Sequence, residues 1–381
     1  MDRARSRAPE GKAGLEGVVA GETSISYIDG LKGRLYYRGY TIEDVAKNCT
    51  FEEASYLLIK GRLPNSKELA SFSAGLVRLR NLPDHIVSMM KTFTSKMSSM
   101  EALRTSVSAL SSDDPDARIS SIDDKLKTGL SVIAKMPTIV AYHHRIKNGL
   151  PIIRPDPKLG HAANFIYMLT GAAPDEETAK ILDTDFVLHA DHGFNASTFS
   201  VRVTVSTLSD VHSAFVTGIS TLKGPLHGGA AMEVITMLKR ISTPKNVEKY
   251  VLARLAAHDK IMGYGHRIYR TYDPRARILK ATAGRLSKQK GNTRWMEMGE
   301  QLEKIMQEQK NIYPNVDFYS AIVYHSIGMP LELSSPIFAI GRSSGWLAHM
   351  IEQYTNNRLI RPIEQYTGEL NLRFVPLKKR K

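Results

Sequence analysis

The run DDKLKTGLSVIAKMPTIVAYHHRI, residues 123–146, decides the fold class of this 381-residue chain. Its apolar side chains recur three and four residues apart, which is the periodicity of an α-helix that buries one face. The same spacing predicts helices over six further stretches: residues 67–80, 160–171, 176–190, 246–262, 295–310 and 335–354. No strand–helix alternation and no repeat period are visible, so the sequence predicts a mainly α-helical protein.

The N-terminal part differs from the rest of the chain. Residues 15–40 alternate around Ile25, Tyr27 and Ile28, and two dipeptides that end in glycine interrupt the alternation as turn signals. This pattern predicts a small β hairpin. Two short helices are expected next, each beginning at a threonine cap and the second ending at a glycine: residues 41–48 and 50–61.

The bulk properties narrow the class of protein. The net charge of +14 favours anionic partners, either nucleic acid or polyanionic small molecules, although a solvated basic surface gives the same number. No apolar run is long enough to span a bilayer, and the N-terminal residues lack the apolar core of a secretory signal. The lone Cys49 excludes an internal disulfide and a thiolate metal cluster. We therefore expect a cytoplasmic protein that is not associated with membranes.

Two stretches rich in glycine, proline or serine divide the helical pattern. They are LKGPLHGGA, residues 222–230, and GMPLELSSP, residues 328–336. The sequence thus predicts a large helical domain from residues 1–224 and 331–381, with a smaller domain, residues 225–330, inserted in it.

His266 is the first candidate for a functional side chain. It follows Gly263 and Gly265, which permit positive φ and a close approach of the backbone to a ligand. Four arginines accompany it, at positions 267, 270, 275 and 277, and guanidinium groups match carboxylate and phosphate geometry. The alternative to a functional role is that His266 lies incidentally in a turn and that the arginines form a solvated basic face, with Arg277 in a salt bridge.

Other histidines lie in similarly unusual settings. His227 stands between Pro225 and paired glycines, where a neutral imidazole can donate a hydrogen bond to an oxygen that gains charge. His189 and His192 flank Asp191, but no further ligands complete a metal site at this spacing. A polar cluster that orients an anionic substrate is the functional interpretation, and a satisfied buried cluster is the structural one.

Two charged side chains occur in apolar surroundings. Asp317 lies among aromatic residues, where partial burial raises the pKa of a carboxyl toward that of a general base, although a helix cap explains it equally well. Arg342 interrupts an apolar helix and therefore needs a carboxylate partner, either from the protein or from a bound acid. Arg358 and Arg361 add further positive charge near the C-terminus.

Taken together, these stretches resemble the citrate synthase family over nearly the whole chain. The hairpin segment, FEEASYLLIKGRLPN, HADHGFNASTF, LKGPLHGGA, IMGYGHRIYRTYDPRAR, NVDFYSA and GRSSGWLAHMIEQ followed by NRLIRP occur in the order of the family's motifs. The compact chain is similar to the archaeal and bacterial dimeric type. The resemblance implies a two-domain homodimer with its active site in the cleft between the domains.

The resemblance also implies a reaction. It is the condensation of acetyl-CoA with oxaloacetate and water to citrate and CoA, without metal or other cofactor. Asp317 would take a proton from the acetyl methyl, His227 would stabilise the enol, and His266 would donate to the oxaloacetate carbonyl. Four residues would hold oxaloacetate, the last of them contributed to the neighbouring subunit: His192, Arg275, Arg342 and Arg361. Six residues would contact CoA: Met262, Gly263, Tyr264, Gly265, Arg267 and Arg270.

Two alternatives remain open at this point. The related 2-methylcitrate synthases use propionyl-CoA and share these motifs, and Ala321 stands where many relatives have glycine. A nucleic-acid binder is motivated by net charge alone, and the chain carries no recognisable nucleic-acid motif.

Overall fold

The computed structural model describes residues 13–114 and 121–380. The basic N-terminal residues 1–12, in which no signal segment is expected, lie outside these ranges. Sixteen α-helices lie within them: α1 Ile42–Asn48, α2 Phe51–Lys60, α3 Ser66–Leu79, α4 Asp84–Lys91, α5 Ser99–Ala109, α6 Ile122–Lys147, α7 His161–Thr170, α8 Glu176–His189, α9 Ala196–Ser206, α10 Val211–Leu222, α11 Ala230–Ile241, α12 Val247–Ala256, α13 Pro274–Gln289, α14 Arg294–Lys310, α15 Val316–Ser326 and α16 Ser334–Thr355. The prediction of a mainly α-helical protein is confirmed.

The N-terminal hairpin is also confirmed, as part of a three-stranded antiparallel sheet in the order β1 (Ser26–Asp29), β2 (Arg34–Tyr37) and β3 (Tyr40–Thr41). Ser26 faces Tyr37 in the register, and Asp29 faces Arg34. Ile25 and Tyr37 are fully buried, so the sheet covers one side of the helical core. The turn between β1 and β2 spans residues 30–33.

Helix ends follow the local signals that predict them. Thr50 and Glu53 form a capping box at the start of α2, and Gly61 ends that helix with a φ of 81°. One prediction is wrong in extent: the helix expected over residues 246–262 ends at Ala256. His258 adopts a φ of 56°, in the left-handed region, and this ends the helical path.

Several helices are absent from the sequence prediction, among them α9, α10 and α15. Their sequences are rich in serine, threonine and valine, whose side chains favour helices weakly. Tertiary packing of their buried faces stabilises them instead, because α9 and α10 pack against each other and α15 packs between α11 and α13.

The helix α16 is the centre of the large helical layer. It packs against α2, α6, α8, α9 and α10, and Trp346 on it is fully buried. Gly341 allows α8 to approach closely, since a methyl group added there would lie 3.0 Å from both the Cβ atom of His189 and the carbonyl oxygen of Phe186. This close approach brings the end of α8 beside Arg342.

Helices α11 to α15 pack mainly on one another and form a second group, residues 230–326. Its edges lie near the two breaker-rich stretches of the sequence. Within the described ranges, no helix combines the length and apolar character that crossing a membrane requires.

The C-terminal residues 356–380 leave the helical body without forming another α-helix. This C-terminal tail exposes a series of large apolar side chains: Leu359, Ile363, Tyr366, Leu370, Leu372, Phe374, Val375 and Leu377.

Candidate active site

Five segments converge where the two helical groups meet. They are the α8–α9 connection with His192, the turn before α11 with His227, the loop between α12 and α13 with His266, the first turn of α15 with Asp317, and the middle of α16 with Arg342. These segments are far apart in the sequence, so the cluster exists only in the folded chain.

His192 and His266 form one side of this cluster. Their ring centroids lie 5.0 Å apart, and the hydroxyl of Tyr269 lies 3.2 Å from His192 Nε2. The backbone N–H groups of Ile268 and Tyr269 donate to His266 Nδ1 over 2.9 and 3.2 Å. Because those groups can only donate, the neutral ring carries its proton on Nε2, where it is left to donate to a ligand.

Burial keeps both of these imidazoles neutral. It lowers the pKa of His266 to about 4, and the positive charge of Arg275 acts in the same direction. The pKa of His192 lies well below its usual range for the same reasons, burial first. At pH 7 this side of the site therefore presents uncharged hydrogen-bonding groups rather than cations.

His227 is held from the other direction by the start of α9. The backbone N–H of Ser197 donates to His227 Nε2 over 3.3 Å, and the Ser197 hydroxyl lies 2.9 Å from the same nitrogen. Trp346 Nε1 donates to that hydroxyl over 3.1 Å. Nε2 is thus the acceptor, and the neutral ring carries its proton on Nδ1. Burial lowers the pKa of His227 to about 4, with a smaller contribution from Arg342.

Asp317 is a buried carboxylate with an unused oxygen. It is not the helix cap, because Asn315 caps α15 by accepting from the Asp317 backbone N–H over 3.1 Å. Among the described residues Oδ1 of Asp317 has no hydrogen-bond partner. Burial raises the pKa of this carboxyl from 3.8 to about 6, against the opposing effects of His189 and Arg275. Such a pKa suits a base that works near neutral pH.

The two arginines on the wall of the cluster are held differently. Arg275 donates from Nε and Nη2 to the two oxygens of Asp273, over 3.0 and 2.8 Å. Arg342 donates from Nε to the carbonyl oxygen of His189 over 2.6 Å and lies over the ring of Phe338. Its Nη1 is buried without a partner in the described chain. Among the described residues no carboxylate forms a salt bridge with Arg342, and burial lowers its pKa to about 10.

The loop that carries the predicted CoA contacts lies directly against the segment before Asp317. Gly263 and Gly265 have φ angles of 79° and 81°. The Gly265 N–H donates to the Tyr313 carbonyl oxygen over 2.9 Å, and Asn315 donates to the carbonyl oxygen of Gly263 over 2.9 Å. Met262 and Tyr264 of this loop are half-buried, whereas Arg267 and Arg270, which follow it, are exposed.

Two predicted residues lie in other surroundings. Arg361 is exposed in the C-terminal tail and donates to the neighbouring Pro362 carbonyl oxygen, so this chain does not bring it into its own cluster. Arg277, for which a salt bridge was expected, lies over the ring of Tyr272 at 5.1 Å from the centroid. No described carboxylate forms a salt bridge with it.

Sequence reasoning missed three residues that hold the cluster together: Ser197, Tyr269 and Asp273. Asp273 precedes Pro274 and caps α13, and that pattern was a readable signal. Nothing local marks Ser197 or Tyr269, because their contacts lie across the fold. Across the described parts of the chain, no group of three or more His, Cys, Asp or Glu side chains is arranged to hold a metal ion.

Comparisons with known proteins identify the family of this chain. The sequence profile described as "Citrate synthase, C-terminal domain" matches residues 14–363. The chain belongs to the citrate synthase family. It is an enzyme of the citrate synthase type, whose reaction is of the transferase class.

Named relatives of this citrate synthase family member cover nearly its whole length. A citrate synthase from Haloferax volcanii is 45% identical, over 97% of this chain and 99% of its own. A 2-methylcitrate synthase from Mycobacterium tuberculosis is 38% identical, over 94% of this chain and 91% of its own. Citrate synthase from Thermoplasma acidophilum, solved as a ternary complex with carboxymethyl coenzyme A and oxaloacetate, is 34% identical with a TM-score of 0.91, over 96% of this chain and 98% of its own.

Proposed function

We propose that this enzyme condenses acetyl-CoA with oxaloacetate and water to give citrate and CoA. One observation carries the proposal: Asp317, a buried carboxylate with a raised pKa, lies in one cluster with the neutral histidines His227 and His266. His227 carries its proton on Nδ1, whereas His266 carries its proton on Nε2. Enolisation of a thioester needs a base together with a donor to the oxygen that gains charge, and the attacked ketone needs a second donor.

The proposed steps use these three side chains in turn. Asp317 removes a proton from the acetyl methyl, and the C–H electron pair forms the C=C bond of the enol while His227 Nδ1–H donates to the thioester oxygen. The C=C electron pair of the enol then forms the new C–C bond to the ketone carbon of oxaloacetate, and the thioester C=O bond is restored. The ketone π electrons move to the oxygen as an alkoxide, which takes the proton from His266 Nε2, and the proton held by Asp317 is relayed to His266 through water. Water hydrolyses the citryl thioester and releases CoA, without metal or other cofactor.

We further propose that oxaloacetate is held by His192, Arg275 and Arg342, with Arg361 contributed by the neighbouring subunit. The unpartnered Nη1 of Arg342 supports a carboxylate ligand, because a buried guanidinium nitrogen without an acceptor is costly. In Arg275, Asp273 occupies one edge of the guanidinium and leaves Nη1 for the substrate.

For CoA, we propose contacts with Met262, Gly263, Tyr264 and Gly265, and with Arg267 and Arg270 beside them. Positive φ at the two glycines supports a loop whose backbone a flat adenine ring approaches closely. The exposed arginines supply charge for the phosphates. We place this function in the cytoplasm.

We propose two domains, residues 1–224 with 331–381 and residues 225–330, that close around the substrates. The packing of α11 to α15 on one another supports this division. Closure would exclude water from the enol before it meets the ketone.

We propose a homodimer in which the C-terminal tail lies on a second copy of the chain. The exposed apolar side chains of the tail support this arrangement, because a lone subunit would leave all of them in water. The same tail carries Arg361, which would then reach its partner's site.

Mixed dimers test the role of Arg361. Arg361→Ala and Asp317→Asn homodimers are both expected to be inactive. In a mixed dimer, one site combines an intact Asp317 with an intact Arg361 from the other chain, so coexpression should restore about a quarter of wild-type activity. If a purified, dual-tagged mixed dimer shows no recovery, Arg361 acts in its own subunit, and an active Arg361→Ala homodimer would show that it has no role.

The choice of acyl-CoA is the test of the function itself. Release of free thiol from acetyl-CoA should depend on oxaloacetate, with kcat/KM above that for propionyl-CoA. One methylene separates these substrates, and a hydrophobic pocket discriminates such pairs by roughly 10- to 200-fold. Relatives named 2-methylcitrate synthase at 36–38% identity make that enzyme the second candidate. A higher kcat/KM with propionyl-CoA would assign this chain to it.

A further inference from the structure

The turn of the N-terminal hairpin lies against the loop that follows His266. The Arg270 N–H donates to the Gly30 carbonyl oxygen over 2.9 Å. A methyl group added to Gly30 would overlap the carbonyl oxygen of Ile268 and lie 3.0 Å from its carbonyl carbon. The backbone of Gly30 is not in the left-handed region, so only this close approach excludes a side chain.

The peptide bond between Ile268 and Tyr269 connects Gly30 to His266. Its C=O group faces Gly30, and its N–H group donates to His266 Nδ1 over 3.2 Å. In a planar trans peptide these two groups point in opposite directions. The peptide is therefore held between the bare Cα of Gly30 and the imidazole ring.

The orientation of this peptide determines what His266 can do. The N–H groups of Ile268 and Tyr269 both point at Nδ1, which keeps the proton of the neutral ring on Nε2. A rotation of the Ile268–Tyr269 peptide removes one of the two donors. The ring is then held by the Ile268 N–H alone, so its orientation is less fixed and its preference for a proton on Nε2 is weaker.

The hairpin also holds the second imidazole of this side of the cluster. The Ser26 hydroxyl accepts from the Gly193 N–H over 3.1 Å and bonds to the Asp191 carboxylate. Both contacts flank His192. One small sheet thus contacts the two segments that present His192 and His266.

We propose that Gly30 is a positioning residue for His266. Its missing side chain lets the Ile268–Tyr269 peptide take the orientation in which His266 Nε2–H polarises the ketone of oxaloacetate. This inference rests on the proposed function, since it takes oxaloacetate as the ligand of His266.

The test is the Gly30→Ala variant with Gly39→Ala as matched control. Gly39 lies in the turn between β2 and β3, and a methyl group added there meets no atom of the described residues within 4 Å, although its φ of 90° makes the change straining. The control therefore weakens the hairpin without displacing the peptide. The readout is the infrared stretching frequency of the ketone in bound, ¹³C-labelled oxaloacetate, together with kcat and both KM values.

In the wild type and in Gly39→Ala, the ketone frequency should lie below that of free oxaloacetate. In Gly30→Ala it should return toward the free value, and kcat should fall roughly 10- to 100-fold, as expected for a displacement of about 1 Å. The KM for acetyl-CoA should stay near that of the control. A wild-type frequency in Gly30→Ala, or an equal shift in both variants, would overturn the inference.

A second measurement does not depend on how the variant folds. ¹⁵N NMR of histidine-labelled wild-type enzyme should show His266 protonated on Nε2, and protonation on Nδ1 would also overturn the inference. If the wild type binds no oxaloacetate and forms no citrate, the proposed function fails instead, and the two failures are distinguishable.

Discussion

Replacing Asp317 with asparagine should lower kcat for citrate formation by about 10³-fold, within the range that a positioned general base contributes. The amide has the shape of the carboxyl group but cannot take a proton from the acetyl methyl. Thiol release from acetyl-CoA in the presence of oxaloacetate measures the effect. Undiminished turnover would disprove the assignment of Asp317 as the base.

Two controls separate a lost base from a damaged fold. In the wild type, kcat/KM should fall as the pH drops below about 6, because protonated Asp317 cannot act as a base. As the second control, the Asp317→Asn variant should be more stable toward unfolding than the wild type above a pH of about 6. Raising the pKa of a buried carboxyl from 3.8 to about 6 corresponds to about 3 kcal/mol against the ionised folded state, and this cost disappears below pH 4.

Replacing His227 and replacing His266 should each slow citrate formation, but at two different steps of the reaction. His227→Ala removes the donor to the enol oxygen, so both citrate formation and proton exchange of the acetyl methyl should fall about 10²- to 10³-fold. His266→Ala removes the donor to the ketone, so citrate formation should fall by a similar factor of about 10²- to 10³-fold while exchange continues. Exchange is measured in D₂O with malate, which has no ketone, in the place of oxaloacetate.

The contrast between the two variants is the informative result. If His266→Ala reduced methyl exchange as strongly as His227→Ala, the two histidines would share one role and the proposed division would be wrong. Ser197→Ala is a milder companion change, because the Ser197 backbone N–H still donates to His227 Nε2 when the hydroxyl is lost.

The order of motifs along the chain was sufficient to name Asp317, His227 and His266 as candidates. The alternatives for Asp317 could not be separated there, because a helix cap and a buried base look alike in sequence. The contact that decides is the side chain of Asn315, which caps α15 and leaves Asp317 free. For Arg342, the sequence leaves a structural ion pair open, whereas the structure shows its Nη1 buried with no partner among the described residues.

By itself, the sequence determined the helical class, the hairpin, the cap at Thr50 and the family, because periodicity, capping and motif order are local properties. Only the tertiary structure decided the protonation of His266 and His227, the raised pKa of Asp317 and the role inferred for Gly30. The raised pKa of Asp317 depends on burial, and the donors to His266, although only two and three residues away, are oriented by an irregular loop that no periodic pattern predicts. The remaining contacts join residues far apart in the sequence, such as Ser197 and His227. Gly30 and Ile268 are a further example, because they come into contact only in the folded chain and no local pattern in either segment predicts that contact.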